Sequence, residues 1–458
     1  MKKLMLICAP VSSRSGYGAH ARDLTHAFLK HDKYDIKIFD VTWGQCPRNA
    51  LDENNSEDKK IIDCILSQPE VEKQPDVYVD IRIPNEFQQH GKFNIGITAG
   101  VETTIVSQAW LEGCNKMDLV IVPSEHSKDG FVKTIYDKVE NRPDGEKQKV
   151  GELKLEKPIE VLFEGANENI YKPLNKKEIS TDLCDMISEK ISEDFIFLFT
   201  GQWGTGGYGE DRKDVSKLVK VFYESFANKK KQPALILKTN GATFSILDRE
   251  ECLNKIKEIK SRFPSDWKLP GIHLLHGSLT DGEMNELYNH PKIKAMVSLT
   301  HGEGFGRPLL EATMVGLPVI VSAWSGQLDF LSESESVLIG GKLDKIPNSV
   351  VWKDIIVEGS EWFYADDNQV YKSLNYSFEN EDEIKNKSKK LMKENREKFN
   401  LTKMVEKLDE IMENYLKDTP QQVNLNLPKL KKIKKSESEI PKVELPKLKK
   451  ITKEEVSV

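Results

Sequence analysis

His301-Gly302-Glu303-Gly304-Phe305-Gly306-Arg307-Pro308-Leu309-Leu310-Glu311 follows the apolar run Met296 to Thr300 and opens a helical pattern, Arg307 to Val315. Strand, glycine loop and helix in that order are the core unit of a parallel α/β sheet. Pro308 suits the first turn of the helix, where a missing N–H costs nothing. Gly304 and Gly306 carry no Cβ, so the backbone can approach a ligand closely. The orphan N–H groups and positive dipole end at such a helix start make an anion site at the carboxyl edge of the sheet. Glu303 on the loop and Glu311 in the helix flank that site, and a carboxylate accepts hydrogen bonds from two neighbouring hydroxyls. The spacing offers one carboxylate to each sugar of a nucleotide sugar, with a diphosphate between. Glutamates at this spacing would otherwise read as surface charge; the Gly-x-Gly between them favours a ligand.

Outward from this motif, apolar runs alternate with helical patterns in two series. The first comprises strands Leu4 to Ala9, Ile36 to Val41, Val77 to Ile83, Asn94 to Thr98 and Leu119 to Pro123. A helix from Ala19 to Leu29 follows the loop Ser12 to Gly18, and Ser124 caps a helix running toward Tyr136. The second comprises strands Phe195 to Thr200, Leu235 to Lys238, Ile272 to His276, Met296 to Thr300 and Val319 to Ser322. Its helices are Val215 to Phe226, Gly282 to Tyr288 and Arg307 to Val315. The expected class is α/β with two parallel, doubly wound sheets. The expected domains are 1–172 and 173–395, joined by a hinge at Asn169 to Asn175, then a C-terminal helix 396–418 and a tail 419–458. Asn141 to Lys157 reads as an exposed excursion, and Glu381 to Leu416 as one strong helical pattern.

The 458 residues carry a formal net charge of -6, which argues against a strongly basic nucleic-acid-binding body. No run approaches the length of a membrane span, and Lys2-Lys3 before a short apolar run lacks a cleavage site, so it reads as a strand rather than a signal peptide. Cys8, Cys46, Cys64, Cys114, Cys184 and Cys252 are scattered without a C-x-x-C pair, which points to a reducing, cytoplasmic setting. In the tail, Leu427-Pro428-Lys429-Leu430-Lys431-Lys432-Ile433 recurs as Leu445-Pro446-Lys447-Leu448-Lys449-Lys450-Ile451. Ten Lys against five Glu from Thr419 onward give it about +5, so the body carries about -11. Such a segment reads as disordered and able to contact a polyanion.

The motif, with Gly316-Leu317-Pro318-Val319-Ile320-Val321-Ser322 after it, resembles the C-terminal signature of retaining glycosyltransferase family 4. Asp211-Arg212-Lys213-Asp214 is similar to the family's Arg-Lys segment. Met117 to Ser127 resembles the end of its N-terminal domain, and Glu164-Gly165-Ala166-Asn167 with Tyr171-Lys172-Pro173 the lead into its second domain. The resemblance covers nearly residues 1 to 415. It implies the GT-B architecture, two facing Rossmann-like domains, and transfer of a hexose with retention from a nucleotide-diphosphate sugar, the co-substrate, with no other cofactor. It implies that Arg212 and Lys213 reach the diphosphate, that Glu311 takes the ribose, and that Glu303 with the Gly304, Phe305 and Gly306 stretch takes the donor sugar. Fixed cations there stabilise the leaving group's growing charge. Lys238, at a strand end, is a further candidate donor contact.

Many family members place a histidine opposite the donor sugar. Here Thr98-Ala99-Gly100-Val101-Glu102-Thr103-Thr104 puts Glu102 in that place, as in a branch with the pattern Trp-Glu-Thr. Glu303 and Glu102 are therefore the catalytic candidates, Glu102 as a base on the acceptor or a hydroxyl ligand. Gly16, Tyr17 and Gly18 form a candidate acceptor or phosphate loop. His20, Arg22, His126 and His301 are weighed against structural roles, and Gln202 stands where many members carry arginine. No Asp-x-Asp pair ends a strand, so no metal is expected. The acceptor class stays open among glycan, lipid-linked sugar, protein and modified DNA. Two rivals share the fold: a catalytically inactive nucleotide-sugar or glycan-binding protein, and a nucleotide-sugar epimerase.

Overall fold

Both series of apolar runs form parallel sheets in the computed structural model, which describes residues 2–30, 32–141, 147–204, 206–241 and 243–417. The strands are β1 (Lys3–Ala9), β2 (Tyr34–Asp40), β3 (Val77–Ile81), β4 (Phe93–Ile97), β5 (Leu119–Val122), β6 (Tyr136–Asn141), β7 (Lys147–Leu153) and β8 (Ile159–Val161). They continue as β9 (Ile196–Thr200), β10 (Ala234–Lys238), β11 (Ile272–Leu275), β12 (Ile293–Ser298), β13 (Val319–Ser322), β14 (Val337–Ile339), β15 (Gly341–Lys345) and β16 (Glu361–Ala365). The helices are α1 (Gly16–Lys30), α2 (Ser56–Ile62), α3 (Gln108–Lys116), α4 (Glu125–Lys133), α5 (Asp182–Lys190) and α6 (Val215–Phe226). Then come α7 (Ile246–Ser261), α8 (Asp281–Asn289), α9 (Arg307–Met314), α10 (Asp367–Glu379), α11 (Glu381–Lys398) and α12 (Leu401–Leu416).

Among the described residues the first half holds a six-stranded sheet in the order β2-β1-β3-β4-β5-β8, and the second one in the order β11-β10-β9-β12-β13-β14. The named pairings within both are parallel, with Ile7 opposite Ile38 and Val79, and Leu198 opposite Ile236 and Met296. Strands covered on both faces are mostly apolar, and β3, β5 and β13 are buried along their whole length, with Asp80 of β3 paired to Arg82. Strand order reverses between β1 and β3 and between β9 and β12. Ligand crevices open at the carboxyl edge beside such reversals. The loops after β1, β9 and β12 therefore carry the Gly16 segment, the Arg212-Lys213 segment and the Glu303 motif to those edges.

Two sequence expectations are corrected and a third is extended. Glu381 to Leu416 is two helices, not one pattern. The break falls at Asn400, whose side chain accepts from the Lys403 N–H and caps α12. Ala166 holds the break open, donating to the Phe399 carbonyl at 3.0 Å and accepting from Leu401 N–H at 2.8 Å. The described part of Asn141 to Lys157 is largely exposed, as expected, and it also holds β7, which pairs antiparallel with β6, Tyr136 opposite Leu153. Cross-strand pairing satisfies its backbone although its side chains are largely exposed. Gly16 to Gly18 is no loop but the first turn of α1. The tail repeats lie outside the described residues. Among those described, no helix is long and apolar enough to cross a membrane.

The break at Asn400 has a long-range effect. It turns α12 back onto the first half, where Met404, Leu408 and Ile411 join the core of Met5, Ile7, Leu24 and Ile38. Leu408→Ala removes a buried side chain from that core and is expected to cost about 2–5 kcal/mol. Chemical denaturation of the purified chain checks this; a change under about 0.5 kcal/mol, the range of a surface substitution, contradicts the packing.

Candidate functional site

The two halves meet backbone to backbone at the glycine motif. A Cβ on Gly304 would lie 1.8 Å from the Ala99 carbonyl oxygen, and one on Gly302 would lie 2.2 Å from that of Glu102. Gly100, at φ +86°, would bring a Cβ within 2.0 Å of Ser127 Oγ. Only glycine fits at this seam. Ser124 Oγ then donates to the Gly304 carbonyl at 2.5 Å, from the cap of α4. Tyr17 underpins the other side: Ala99 N–H donates to its hydroxyl at 3.1 Å, and the hydroxyl lies 2.8 Å from Thr98 Oγ1. Its ring stacks on Trp43 at 4.0 Å. The Gly16 to Gly18 turn thus acts through a buttressing tyrosine, and Gly18 is packed against the Ser13 carbonyl.

Beside the seam lies a charge cluster in which Glu303 and Lys213 are buried and Arg212 is half-buried. Lys213 Nζ donates to Glu303 Oε1, and Arg212 Nη1 donates to Glu303 Oε2 at 3.3 Å and to the Gly302 carbonyl at 3.2 Å. Arg212 Nη1 also stands 3.7 Å from Glu102 Oε1 across the seam. The tight turn into α6 presents both cations: Asp214 N–H donates to the Asp211 carbonyl, and Asp214 adopts φ 49° at the cap. His301 N–H donates to the Arg212 carbonyl at 2.8 Å, which ties that turn to the motif loop. Glu303 N–H donates to Ser325 Oγ at 2.9 Å. Burial alone would raise the Glu303 carboxyl; Lys213 and Arg212 outweigh it and hold it below its ordinary value. Burial lowers Lys213, against the pull of Glu303.

Glu311 forms a second, separate cluster. Gly306, at φ 97°, starts α9, and Arg307 Nε donates to Glu311 Oε1 at 3.0 Å. Tyr288 OH donates to Glu311 Oε2 at 3.4 Å. Arg307 Nη1 reaches Asp23 Oδ2 of α1 at 2.5 Å. Burial pushes the Glu311 carboxyl up to about 7, even against Arg307, and does the same to Glu164. Sequence reading assigned no role to Arg307, Asp23, Tyr288 or Ser325. Arg307 had one available signal, its i,i+4 spacing from Glu311.

Other candidates fall elsewhere. Lys238 donates to the Gly277 carbonyl at 2.7 Å, and burial lowers its pKa to about 8. Phe305 is a core side chain, its ring 5.1 Å from that of Phe330. His301 is buried, donates from Nδ1 to the Phe363 carbonyl at 2.7 Å and stacks on Trp362. Burial lowers it to about 4, so it stays neutral and structural. His126 packs edge-on to Trp324 and is lowered by burial to about 4 as well. His20 is buried in α1, and Arg22 donates to the carbonyls of Val11 and Ser13. Gln202 donates to the Gly241 carbonyl. Among the described residues no group of three or more His, Cys, Asp or Glu side chains is arranged to hold a metal ion.

Residues 210–344, which hold both clusters' motif residues, match the family model described as glycosyl transferases group 1. The chain is similar in fold to Anabaena HepE, solved with UDP and glucose, at 12% identity over 90% of this chain and 100% of that one, TM-score 0.58. It is similar to sucrose-phosphate synthase from Thermosynechococcus elongatus at 12% identity, 91% and 99% coverage and TM-score 0.59. It is also similar to WaaG, a glycosyltransferase involved in lipopolysaccharide biosynthesis, at 13% identity, 89% and 99% coverage and TM-score 0.54. At such identities these are likenesses of fold, and the fold they share is the two-half GT-B arrangement. A comparison with curated proteins gives no match.

Gly304→Ala tests the seam. The added Cβ has no room beside Ala99, so the halves are expected to part. Small-angle scattering should show a larger radius of gyration with unchanged circular dichroism, whereas an unchanged radius contradicts the close approach.

Proposed function

We propose that the chain is a glycosyltransferase that moves a hexose from a nucleotide-diphosphate sugar to an acceptor, with retention and without a metal. The observation that carries this reading is the Lys213-Arg212-Glu303 cluster, set one loop from the start of α9, within the stretch that matches the group 1 family model. In this reading the diphosphate takes Lys213 and Arg212, and so releases Glu303 to meet hydroxyls of the donor sugar. The N–H groups of Gly304 to Gly306 and the start of α9 add to the anion site. Glu311 accepts from the ribose hydroxyls. Glu102 faces the acceptor, as base or hydroxyl ligand. Cations fixed at the diphosphate stabilise the charge that gathers on the leaving group. Lys238 lies outside this hydrogen-bonded cluster. Neighbours solved with UDP or UDP-glucose make a uridine donor the first to test.

The test is thermal shift of the purified chain against UDP-, GDP-, ADP-, CMP- and dTDP-sugars, with Glu311→Ala alongside. One donor should raise the melting temperature of the wild type and leave the variant unmoved. No shift with any donor in a folded chain counts against transfer.

The raised Glu311 and Glu164 carboxyls fix two pH dependences of opposite sign. A carboxyl with a folded pKa near 7 and an ordinary value of 4.5 binds more protons folded than unfolded between those values. The empty fold therefore loses stability as pH rises from about 4.5 through about 7. Donor binding needs Glu311 ionised so that both oxygens accept, so affinity should rise through the same window. Melting curves and donor titrations at pH 5 to 8 check both; parallel trends contradict the assignment.

A further inference from the structure

Two ion pairs between the halves share a plan. Arg212 stands between Glu303 of its own half, at 3.3 Å, and Glu102 of the other, at 3.7 Å. Arg307 stands between Glu311 of its own half, at 3.0 Å, and Asp23 of the other, at 2.5 Å. Each motif carboxylate is held by an arginine whose second partner belongs to the opposite half.

The Arg307 arrangement runs against local preference. A cation at the first position of α9 faces the positive end of the helix dipole. Arginine four residues before glutamate is also the weaker order of such a pair. Burial adds the cost of desolvating the guanidinium. Asp23, from the middle of α1, supplies the carboxylate that offsets these terms. It also divides the guanidinium, with Nε going to Glu311 and Nη1 to Asp23. An undivided guanidinium favours a bidentate fork on one carboxylate, which would occupy both Glu311 oxygens.

We propose that Arg307 is a positioning residue for Glu311, and that Asp23, on the half opposite Glu311, sets donor affinity. It does so by drawing one arm of Arg307 off Glu311 and by tying the halves together at that point. This rests on the reading of Glu311 as the carboxylate that meets the donor ribose. Affinity for the donor then depends on a residue of the acceptor half, and closure and donor binding favour each other.

The test is isothermal titration of the full chain with UDP-, GDP-, ADP- and dTDP-glucose. The wild type is compared with Asp23→Asn, Asp23→Glu and the exposed control Asp63→Asn. One donor should bind the wild type and the control equally. Asp23→Asn should weaken it about tenfold, and Asp23→Glu should restore most of the loss. In turnover, Asp23→Asn should raise donor KM with little change in kcat. If the wild type binds a donor and Asp23→Asn binds it as well, the proposal is overturned while the donor site stands. A lowered melting temperature with unchanged donor KM also overturns it, because Asp23 is then only structural. If the wild type binds none of the four, the reading of Glu311 itself fails.

Discussion

The contact on which the rest depends is the approach of two backbones, Gly302 to Gly304 of one half against Ala99 to Glu102 of the other. No side chain fits between them, so the halves close without a gap at this line. That closure fixes Glu102 beside Arg212, and Ser124 on the Gly304 carbonyl. It also leaves the motif carboxylates buried rather than on open surface. Glu303 and Glu311 are largely shielded from water, and charge interactions between buried groups are correspondingly stronger. A cluster of Lys213, Arg212 and Glu303 persists in such a place only because each charge has a partner.

The same seam explains why the clusters are poised rather than inert. Glu303 and Glu311 are both buried, yet their carboxyls shift in opposite directions. Two cations hold Glu303 ionised, whereas Glu311 shares one arginine with Asp23 and is pushed up to about 7. In the proposed reading, the first offers cations to a diphosphate and the second an acceptor to a ribose. The arginines that serve them reach across the seam, so each local ion pair is also a contact between halves.

Much of this was legible in the chain. Periodicity located Val215 to Phe226 and Val319 to Ser322 to the residue, because buried strands and amphipathic helices announce themselves locally. The Gly-x-Gly motif at a strand-to-helix junction marked the carboxyl edge at which the structure places Glu303 and Glu311. The partnership of Glu303 with Lys213 was not legible, since ninety residues separate them and the turn at Asp214 aims the cations. Gly16 to Gly18 read as a loop because glycine is a poor helix former, and the bond from Ala99 to Tyr17 is tertiary. The break at Asn400 hid inside an unbroken helical pattern. It depends on Ala166, which pairs with that point from far away in sequence.

The most direct measurement is release of nucleoside diphosphate from each nucleotide sugar, wild type beside Lys213→Ala. In the absence of an acceptor, slow transfer to water still frees the leaving group. The account predicts that the wild type turns over one donor and that Lys213→Ala lowers the rate by about 10²–10³-fold. Equal rates in the two proteins, or no release from any donor by a chain that binds one, would contradict it.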